Sequence, residues 1–134
     1  STLPVQEIGY NYRVSFDIDG TKEAMGTELF RSQDAVFYLS DPISGMLGFA
    51  RDGYLNTFTY NVQPGQRMNI AIEGDNKATR LFINGKQVEE LNIQERWMDK
   101  EGKSRMRNVR TLVFPLEKAG NFQSKITNLK VEQK

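Results

Sequence analysis

The sequence predicts an all-β domain in which two antiparallel sheets stack as a sandwich. Short segments alternate apolar and polar residues with a period of two, which is typical of strands with one buried face. Turn-forming Gly, Asn, Asp and Pro residues interrupt these segments about every eight to twelve residues, as in sandwiches and barrels. No segment has the periodicity of a helix longer than about two turns. Residues 1–134 suit a single domain, and no linker or internal repeat divides them.

The first part of the chain carries four of these segments. The opening segment, Tyr12–Asp19, alternates strictly and ends in the turn-forming pair Asp19-Gly20. Gln33-Asp34 separates two short apolar runs in the manner of a hairpin turn, and Asp52-Gly53 ends the fourth segment. The predicted strands are residues 12–19, 29–30, 35–39 and 46–50.

The middle of the chain contains a predicted hairpin with a defined turn. Asn84-Gly85 lies between two strand-like segments, and this pair accepts the positive φ angles that a type I′ turn requires at both central positions. An earlier segment is rich in aromatic residues and places Tyr54, Phe58 and Tyr60 on one face of a predicted strand. The predicted strands here are residues 54–62, 68–73, 79–83 and 86–91.

The C-terminal part of the chain is less regular. Because residues 94–108 show no clear period, we predict a helical turn at residues 94–98 and a charged loop at residues 99–108. In the final strand, a spacing of three and then two between apolar residues predicts a β-bulge near Thr127-Asn128. The predicted strands are residues 110–114 and 122–131.

Charge and composition exclude several classes of function. Lys plus Arg number 18 and Asp plus Glu number 17, so the net charge of +1 gives no electrostatic reason to expect nucleic acid or an anionic membrane as a partner. No apolar run approaches the ~20 residues of a membrane-spanning helix, and we expect no membrane insertion. The chain has neither cysteine nor histidine, which removes disulfides, thiolate metal sites and the commonest general base.

The acidic residues are poorly arranged for glycoside hydrolysis, which usually needs two carboxylates flanking the bond. Glu89 and Glu90 are adjacent and point to opposite faces of a predicted strand. Asp17 and Asp19 share a face, but it is the face opposite the apolar residues and hence solvated. We therefore predict that this domain contains no catalytic residue of its own.

Three stretches carry a resemblance to a known superfamily. Residues 65–74 are similar to its G-x-W-H-H-V-A-x-T strand, with Arg67-Met68-Asn69 in place of Trp-His-His. Residues 78–88 match its L-Y-V-N-G-K hairpin, and residues 124–131 are similar to its terminal G-x-I-D-x-V-R-I-Y strand. In this order and spacing the chain resembles the concanavalin A-like lectin/glucanase superfamily, in its laminin-G-like branch. The resemblance implies a two-sheet antiparallel jelly-roll β-sandwich.

Residues 45–54 carry a narrower resemblance. They are similar to the jelly-roll domain that follows the catalytic barrel in some bacterial β-N-acetylhexosaminidases of glycoside hydrolase family 20, enzymes typical of glycan-degrading Bacteroidetes. This resemblance implies a non-catalytic accessory domain, the C-terminal module of a longer glycoside hydrolase. Its partner would be the catalytic domain of the same polypeptide, and its location would be periplasmic or extracellular.

The laminin-G-like resemblance also raises the question of calcium. Domains of that branch often hold one ion at a sandwich edge through Asp side chains and backbone carbonyls. Four Asp residues lie in predicted turns, where turn geometry alone explains them. We predict no cofactor and no metal ligand, with calcium left open. The four residues are Asp34, Asp41, Asp52 and Asp75.

An autonomous lectin-like carbohydrate-binding module is the alternative function. Sugar sites stack aromatic faces on pyranose rings and add hydrogen bonds from amides or carboxylates. The aromatic row of residues 54–62 suits such a platform, and packing into the core is the competing explanation for it. For Trp97, the competing explanation is a plug over the core. The candidate carbohydrate-binding residues are Tyr54, Asn56, Phe58, Tyr60 and Trp97.

Overall fold

The computed structural model describes residues 11–32, 35–51, 54–75, 78–92, 94–98, 100–108, 117–118 and 122–133. Over these residues the secondary structure is entirely β, with no helix, and so none that is long and apolar enough to cross a membrane. The strands are β1 Tyr12–Asp19, β2 Thr27–Arg31, β3 Ala35–Ser40, β4 Gly48–Arg51, β5 Tyr54–Thr57, β6 Arg67–Gly74, β7 Thr79–Ile83, β8 Lys86–Leu91, β9 Gln94–Met98, β10 Ser104–Asn108, β11 Glu117–Lys118 and β12 Lys125–Gln133.

Two five-stranded antiparallel sheets form the domain. Sheet I has the order β12-β1-β6-β7-β8, and sheet II has the order β11-β2-β3-β4-β5. The chain passes from sheet I to sheet II after β1, returns at β6, and crosses again for β11 and β12. These crossings make sequence-distant strands neighbours, as β1 and β12 are in sheet I. The predicted all-β, two-sheet architecture is confirmed.

The core lies between the two sheets and is built from alternate residues of their strands. On β1, Phe16 and Ile18 are fully buried while the residues between them are only half-buried. Phe16 of sheet I meets Phe30 of sheet II edge to face, with ring centroids 5.8 Å apart. Burying these large side chains removes apolar surface from water, which is the main force holding the sheets together.

The predicted β7–β8 hairpin is confirmed. Asn84 and Gly85 have φ angles of 50° and 82°, the positive values that a type I′ turn demands. The Asn84 side chain also fastens the turn to β6, the strand beside β7 in the sheet, because its Oδ1 accepts the backbone N–H of Asn69 at 2.9 Å. Asn84 thus has two roles: it tolerates the positive φ of the turn, and its side chain makes a polar contact with the neighbouring strand.

Two β-bulges set which residues face the core. Between β1 and β12 the pairing passes from Ser15 opposite Lys130 to Asp17 opposite Thr127, so β12 has one extra residue. This confirms the predicted bulge, and Asn128 within it has a φ of 55°. A second bulge in β2 makes Leu29 the extra residue and lets both Leu29 and Phe30 be buried.

Several sequence predictions are wrong or lie outside the described residues. Residues 94–98 and 104–108 are not a helical turn and a loop but the two antiparallel strands of the β9–β10 hairpin. Their sequence shows no clear period, so it gave no sign of this pairing. The aromatic strand predicted to residue 62 ends at Thr57, after which Phe58 and Tyr60 bond to Leu47. The turn pairs at 33–34 and 52–53 and the strand at 110–114 lie outside the described residues.

Candidate functional site

The described side chains of the predicted aromatic platform do not lie on an exposed surface. Phe58 is fully buried, and its ring tilts against that of Phe49 with centroids 6.2 Å apart. It cannot present a face to a ligand, because the residues that follow β5 fold inward over the core. Packing into the core, the competing explanation given by the sequence, is what the structure shows for Phe58.

Two further members of the predicted platform also face inward. Tyr60 is half-buried against the core, its hydroxyl donates to Met68 Sδ at 3.1 Å, and burial raises the pKa of its phenol. Asn56 lies opposite the buried Phe49 and therefore on the core side of β5. Tyr54 begins β5 and Trp97 lies in β9, but their side chains are outside the described part of the structure.

The paired acids serve as connectors between strands. Glu89 accepts hydrogen bonds from the backbone N–H and the hydroxyl of Thr59, at 2.6 and 3.1 Å, and so ties the edge of sheet I to the segment after β5. Glu90 forms an ion pair with Arg80 at 2.8 Å. Asp17 accepts the side-chain amides of Asn128 and Asn69, which lower the pKa of its carboxyl.

Turn geometry accounts for the described turn aspartates. Asp41 is fully buried and accepts the N–H groups of Ile43 and Ser44 at 2.8 and 2.6 Å. Burial would raise the pKa of Asp41, but the hydrogen bonds led by Ser44 outweigh it and hold that pKa below its ordinary value. Asp75 accepts the N–H of Ala78, whereas Asp34 and Asp52 are outside the described residues. Among the residues that are described, no three acidic side chains gather as a metal site would require.

The outer face of sheet I is a ladder of charges that satisfy one another. Arg13 bonds to Glu73 at 2.7 Å on the neighbouring strand, and its guanidinium lies 5.3 Å from the centroid of the Phe82 ring. Arg80 bonds to Asp75 and Glu90, both at 2.8 Å. Both arginines are therefore already engaged, and the one described aromatic ring of this face is covered by a cation.

The outer face of sheet II is different. Phe37 and Phe49 are buried and stacked with centroids 5.0 Å apart, so their row across the sheet faces the core. Because directly opposed residues share a face, the rows on either side point outward. One outward row consists of Glu28, Tyr38, Gly48 and Thr57, and the other of Glu117, Arg31, Val36, Ala50 and Leu55.

Small residues on β4, which lies between β3 and β5, turn this face into a shallow trough, which we call the sheet II trough. Gly48 and Ala50 of β4 form its floor, between Tyr38 on β3 and Thr57 on β5. A Cβ at position 48 would lie 2.8 Å from the backbone oxygen of Asn56, closer than real Cβ atoms approach. Packing against β5 therefore requires glycine here, and the residue directly opposite Tyr38 has no side chain.

Two polar side chains of the sheet II trough hold each other in place. Arg31 donates from Nε and Nη2 to the two carboxylate oxygens of Glu28, at 2.9 and 2.8 Å, a fork that fixes both side chains. This hydrogen bonding raises the pKa of Arg31, so its guanidinium stays charged. Tyr38 is half-buried, and its hydroxyl has no hydrogen-bond partner among the residues described.

Sequence reasoning missed the residues of the sheet II trough. Tyr38 falls between Phe37 and Leu39 in an apolar run, so its outward direction depends on the phase of the alternation. The burial of residues 37 and 39, with residue 38 left out of the core, is visible only in the structure, so the sequence carried no signal for it. The cluster of aromatic residues at positions 54–60 was predicted as the site instead, but its described aromatic side chains, Phe58 and Tyr60, point inward.

Neither protein-family models nor curated proteins match the chain. Solved structures do. One is domain 4 of AbnA, a GH43 extracellular arabinanase from Geobacillus stearothermophilus in complex with arabinotriose, at 16% identity and a TM-score of 0.54. The match covers 93% of this chain and 61% of that one, so the chain spans less than two thirds of its length. Another is the Caenorhabditis elegans galectin LEC-6, at 13% identity and a TM-score of 0.55, covering 99% of this chain and 90% of that one.

These similarities concern the fold. They confirm the predicted two-sheet jelly-roll β-sandwich of the concanavalin A-like kind. The narrower resemblance of residues 45–54 to the accessory domain of family-20 hexosaminidases is not shown by any of them.

Proposed function

We propose that this chain is a non-catalytic carbohydrate-binding domain and that the sheet II trough is its sugar-contacting surface. The observation that carries this proposal is the combination of Tyr38, whose hydroxyl has no hydrogen-bond partner among the described residues, and the ordered Glu28–Arg31 fork on the same outward face. On the outer face of sheet I, by contrast, the described ring of Phe82 is covered by the guanidinium of Arg13.

The chemistry of the sheet II trough suits a sugar ring. Pyranose rings present C–H groups that pack on an aromatic face, together with hydroxyls that need fixed hydrogen-bond partners. Tyr38 and Val36 supply the apolar contact, and Glu28 accepts while Arg31 donates. Because the fork is ordered before a ligand arrives, little side-chain entropy is lost on binding. A shallow, open surface of this kind favours a glycan chain over a deeply enclosed single sugar.

The matched structures support the same proposal. The arabinanase domain was solved with arabinotriose, and the other match is a galectin. Both share the jelly-roll scaffold with this chain at low sequence identity, so they support the class of ligand and not a particular sugar.

The parent protein is proposed from the sequence resemblance of residues 45–54. On that basis the domain is the accessory module of a periplasmic or extracellular glycoside hydrolase, a β-N-acetylhexosaminidase, and it packs on the catalytic domain of the same polypeptide. Sequencing the coding region upstream of Ser1 tests this part alone. A barrel with an Asp-Glu pair supports it, and an upstream region without a hydrolase contradicts it.

The binding proposal is tested by glycan-array screening of the domain, followed by titration calorimetry on the best glycan. Tyr38→Ala and Glu28→Gln should each weaken binding about tenfold or more, since each removes a contact of the kind that dominates small interfaces. Glu90→Gln, a matched change on the outer face of sheet I, should leave the affinity unchanged. An array without selective binding, or equal loss in the Glu90 variant, would contradict the proposal.

A further inference from the structure

A cleft of about 340 Å³ opens at one end of the sandwich, away from the sheet II trough. It lies where the segment after β1, the turn after β3 and the segment before β6 meet. Its lining includes Lys22, Met25, Asn61, Val62 and Pro64. A volume of this order matches the lower end of the range for small-molecule sites, about 300–1,000 Å³.

The walls of this cleft are anchored to the body of the domain. Glu23 holds the segment after β1 against the start of β12, through the N–H groups of Gln123 and Ser124 at 3.0 and 2.7 Å. Backbone hydrogen bonds from Gly20 to Gln66 and from Gly65 to Gly20 fasten the same segment to the turn before β6. The buried Asp41 caps the turn after β3. A cavity bounded by such fastened segments is preorganised for a ligand.

Two polar groups in the cleft have nothing to bind within the described structure. The Lys22 ammonium forms no ion pair or hydrogen bond with the described residues, and the same is true of the Asn61 side-chain amide. The Glu23 carboxylate also lines the cleft, but it is already engaged by donors from Thr21, Gln123 and Ser124. Within the described structure, the groups left to bind a ligand are therefore the Lys22 ammonium and the Asn61 amide.

Apolar surface completes the cleft. Met25 is 57% exposed, although it is a large hydrophobic side chain, and Val62 and Pro64 continue the apolar wall beside Asn61. Exposed apolar residues beside free polar groups are typical of sites that hold a ligand with both characters. The ligand should therefore carry a negative charge, hydroxyl groups and a C–H face together.

From these groups we propose that the cleft binds an acidic sugar residue, a uronic acid. Its carboxylate pairs with the Lys22 ammonium, one of its hydroxyls bonds to the Asn61 amide, and its C–H face packs on Val62 and Pro64. This site is separate from the sheet II trough and does not depend on sugar binding there.

The test is titration of the ¹⁵N-labelled domain with D-glucuronate, D-glucose and acetate, followed by NMR. Glucuronate should shift the amide signals of Lys22 and Asn61 saturably and bind at least about tenfold more tightly than glucose, because glucose lacks the carboxylate and a charge-assisted hydrogen bond is worth about one decade or more. Acetate keeps the carboxylate but lacks the hydroxyls and the C–H face, so it should also bind at least about tenfold more weakly than glucuronate. Added salt should weaken the binding, since the Lys22 side chain is exposed. Equal binding of glucose or acetate, or no saturable shift, would overturn the proposal.

Variants assign the binding to the cleft. Lys22→Gln should lower the glucuronate affinity about tenfold and leave glucose unaffected, whereas Lys130→Gln, on the outer face of sheet I, should change neither. Tyr38→Ala should also leave glucuronate binding intact. If Tyr38→Ala abolishes glucuronate binding and Lys22→Gln does not, the cleft is excluded as the site and the sheet II trough is supported instead.

Discussion

Ser124 donates two hydrogen bonds to the carboxylate of Glu23, from its backbone N–H at 2.7 Å and from its hydroxyl at 3.0 Å, although the two residues are 101 positions apart. The Gln123 N–H and the Thr21 hydroxyl complete the set of donors. Because β1 and β12 are neighbours in sheet I, this cluster fastens the exit from β1 to the entrance of β12. This part-buried cluster thus joins the two strands at their ends and supports one wall of the cleft at the end of the sandwich.

Replacing Glu23 should destabilise the domain. Glu23→Ala leaves the N–H groups of Gln123 and Ser124 without their acceptor, which should lower the free energy of unfolding by about 1–3 kcal/mol. Urea denaturation followed by tryptophan fluorescence measures the change. Glu132→Ala, at an exposed position of β12, is the matched control and should stay within about 0.5 kcal/mol of the parent. Equal values for the two variants would show that the cluster contributes nothing.

The free energy of unfolding should fall in acid, because the carboxyl groups of Glu23 and Asp41 both have lowered pKa values in the folded protein. The pKa of Glu23 lies below its ordinary value of 4.5, since hydrogen bonds from Thr21, Gln123 and Ser124 outweigh the effect of burial. A carboxyl with a lowered folded-state pKa stabilises the fold above its unfolded-state pKa, and loses that contribution as the pH falls through the folded-state value. The Glu23→Gln variant should therefore be less stable than the parent at pH 7, with the gap closing below pH 4.5. A gap that is constant from pH 7 to pH 3 would contradict this account.

Gly48→Ala should destabilise the domain, although replacing glycine by alanine stabilises a protein where the backbone and the available space allow it. The new methyl would lie 2.8 Å from the backbone oxygen of Asn56, so β4 and β5 must separate locally. Overpacking of this kind typically costs about 1–3 kcal/mol. Thermal unfolding measures it, with Ala50→Ser on the same strand as the control for a small change in the sheet II trough. A melting temperature equal to that of the parent would show that the strands adjust freely.

The turn between β7 and β8 should tolerate neither of two substitutions. Gly85→Ala places a Cβ at a φ of 82°, and should cost about 1 kcal/mol or more. Asn84→Ala loses both the tolerance of positive φ and the bond from its Oδ1 to the Asn69 N–H. We therefore expect Asn84→Ala to be at least as damaging as Asn84→Asp, which keeps an acceptor oxygen. The reverse order in urea denaturation would exclude a role for the side-chain contact.

Tyr38→Phe should separate binding from stability. The Tyr38 hydroxyl bonds to none of the described residues, so its removal should change the free energy of unfolding by no more than about 0.5 kcal/mol. If the hydroxyl contacts a glycan, the same variant should weaken glycan binding several-fold. Loss of stability in Tyr38→Phe would instead reveal an internal role for the hydroxyl.

The sequence pattern alone predicted those structural features that depend on residues close together in the chain. The strict alternation of Tyr12–Asp19 predicted both β1 and its buried face. Asn84-Gly85 predicted the hairpin, because the backbone angles of a two-residue turn are decided by those two residues. The uneven apolar spacing at residues 126–131 predicted the bulge near Asn128. Absence of cysteine and histidine was equally decisive for the kinds of chemistry that could be considered.

Tertiary structure alone decided which aromatic residues face outward. Phe58 and Tyr38 are both aromatic residues in strand-like segments, yet one is in the core and the other lines the sheet II trough. A period of two fixes only that alternate side chains point to opposite faces, and pairing with neighbouring strands decides which face is buried. The β9–β10 hairpin shows the same limit, since its two strands pair with each other although their sequence shows no clear period. Sequence therefore determined the class of fold, while strand register determined the surface offered to a ligand.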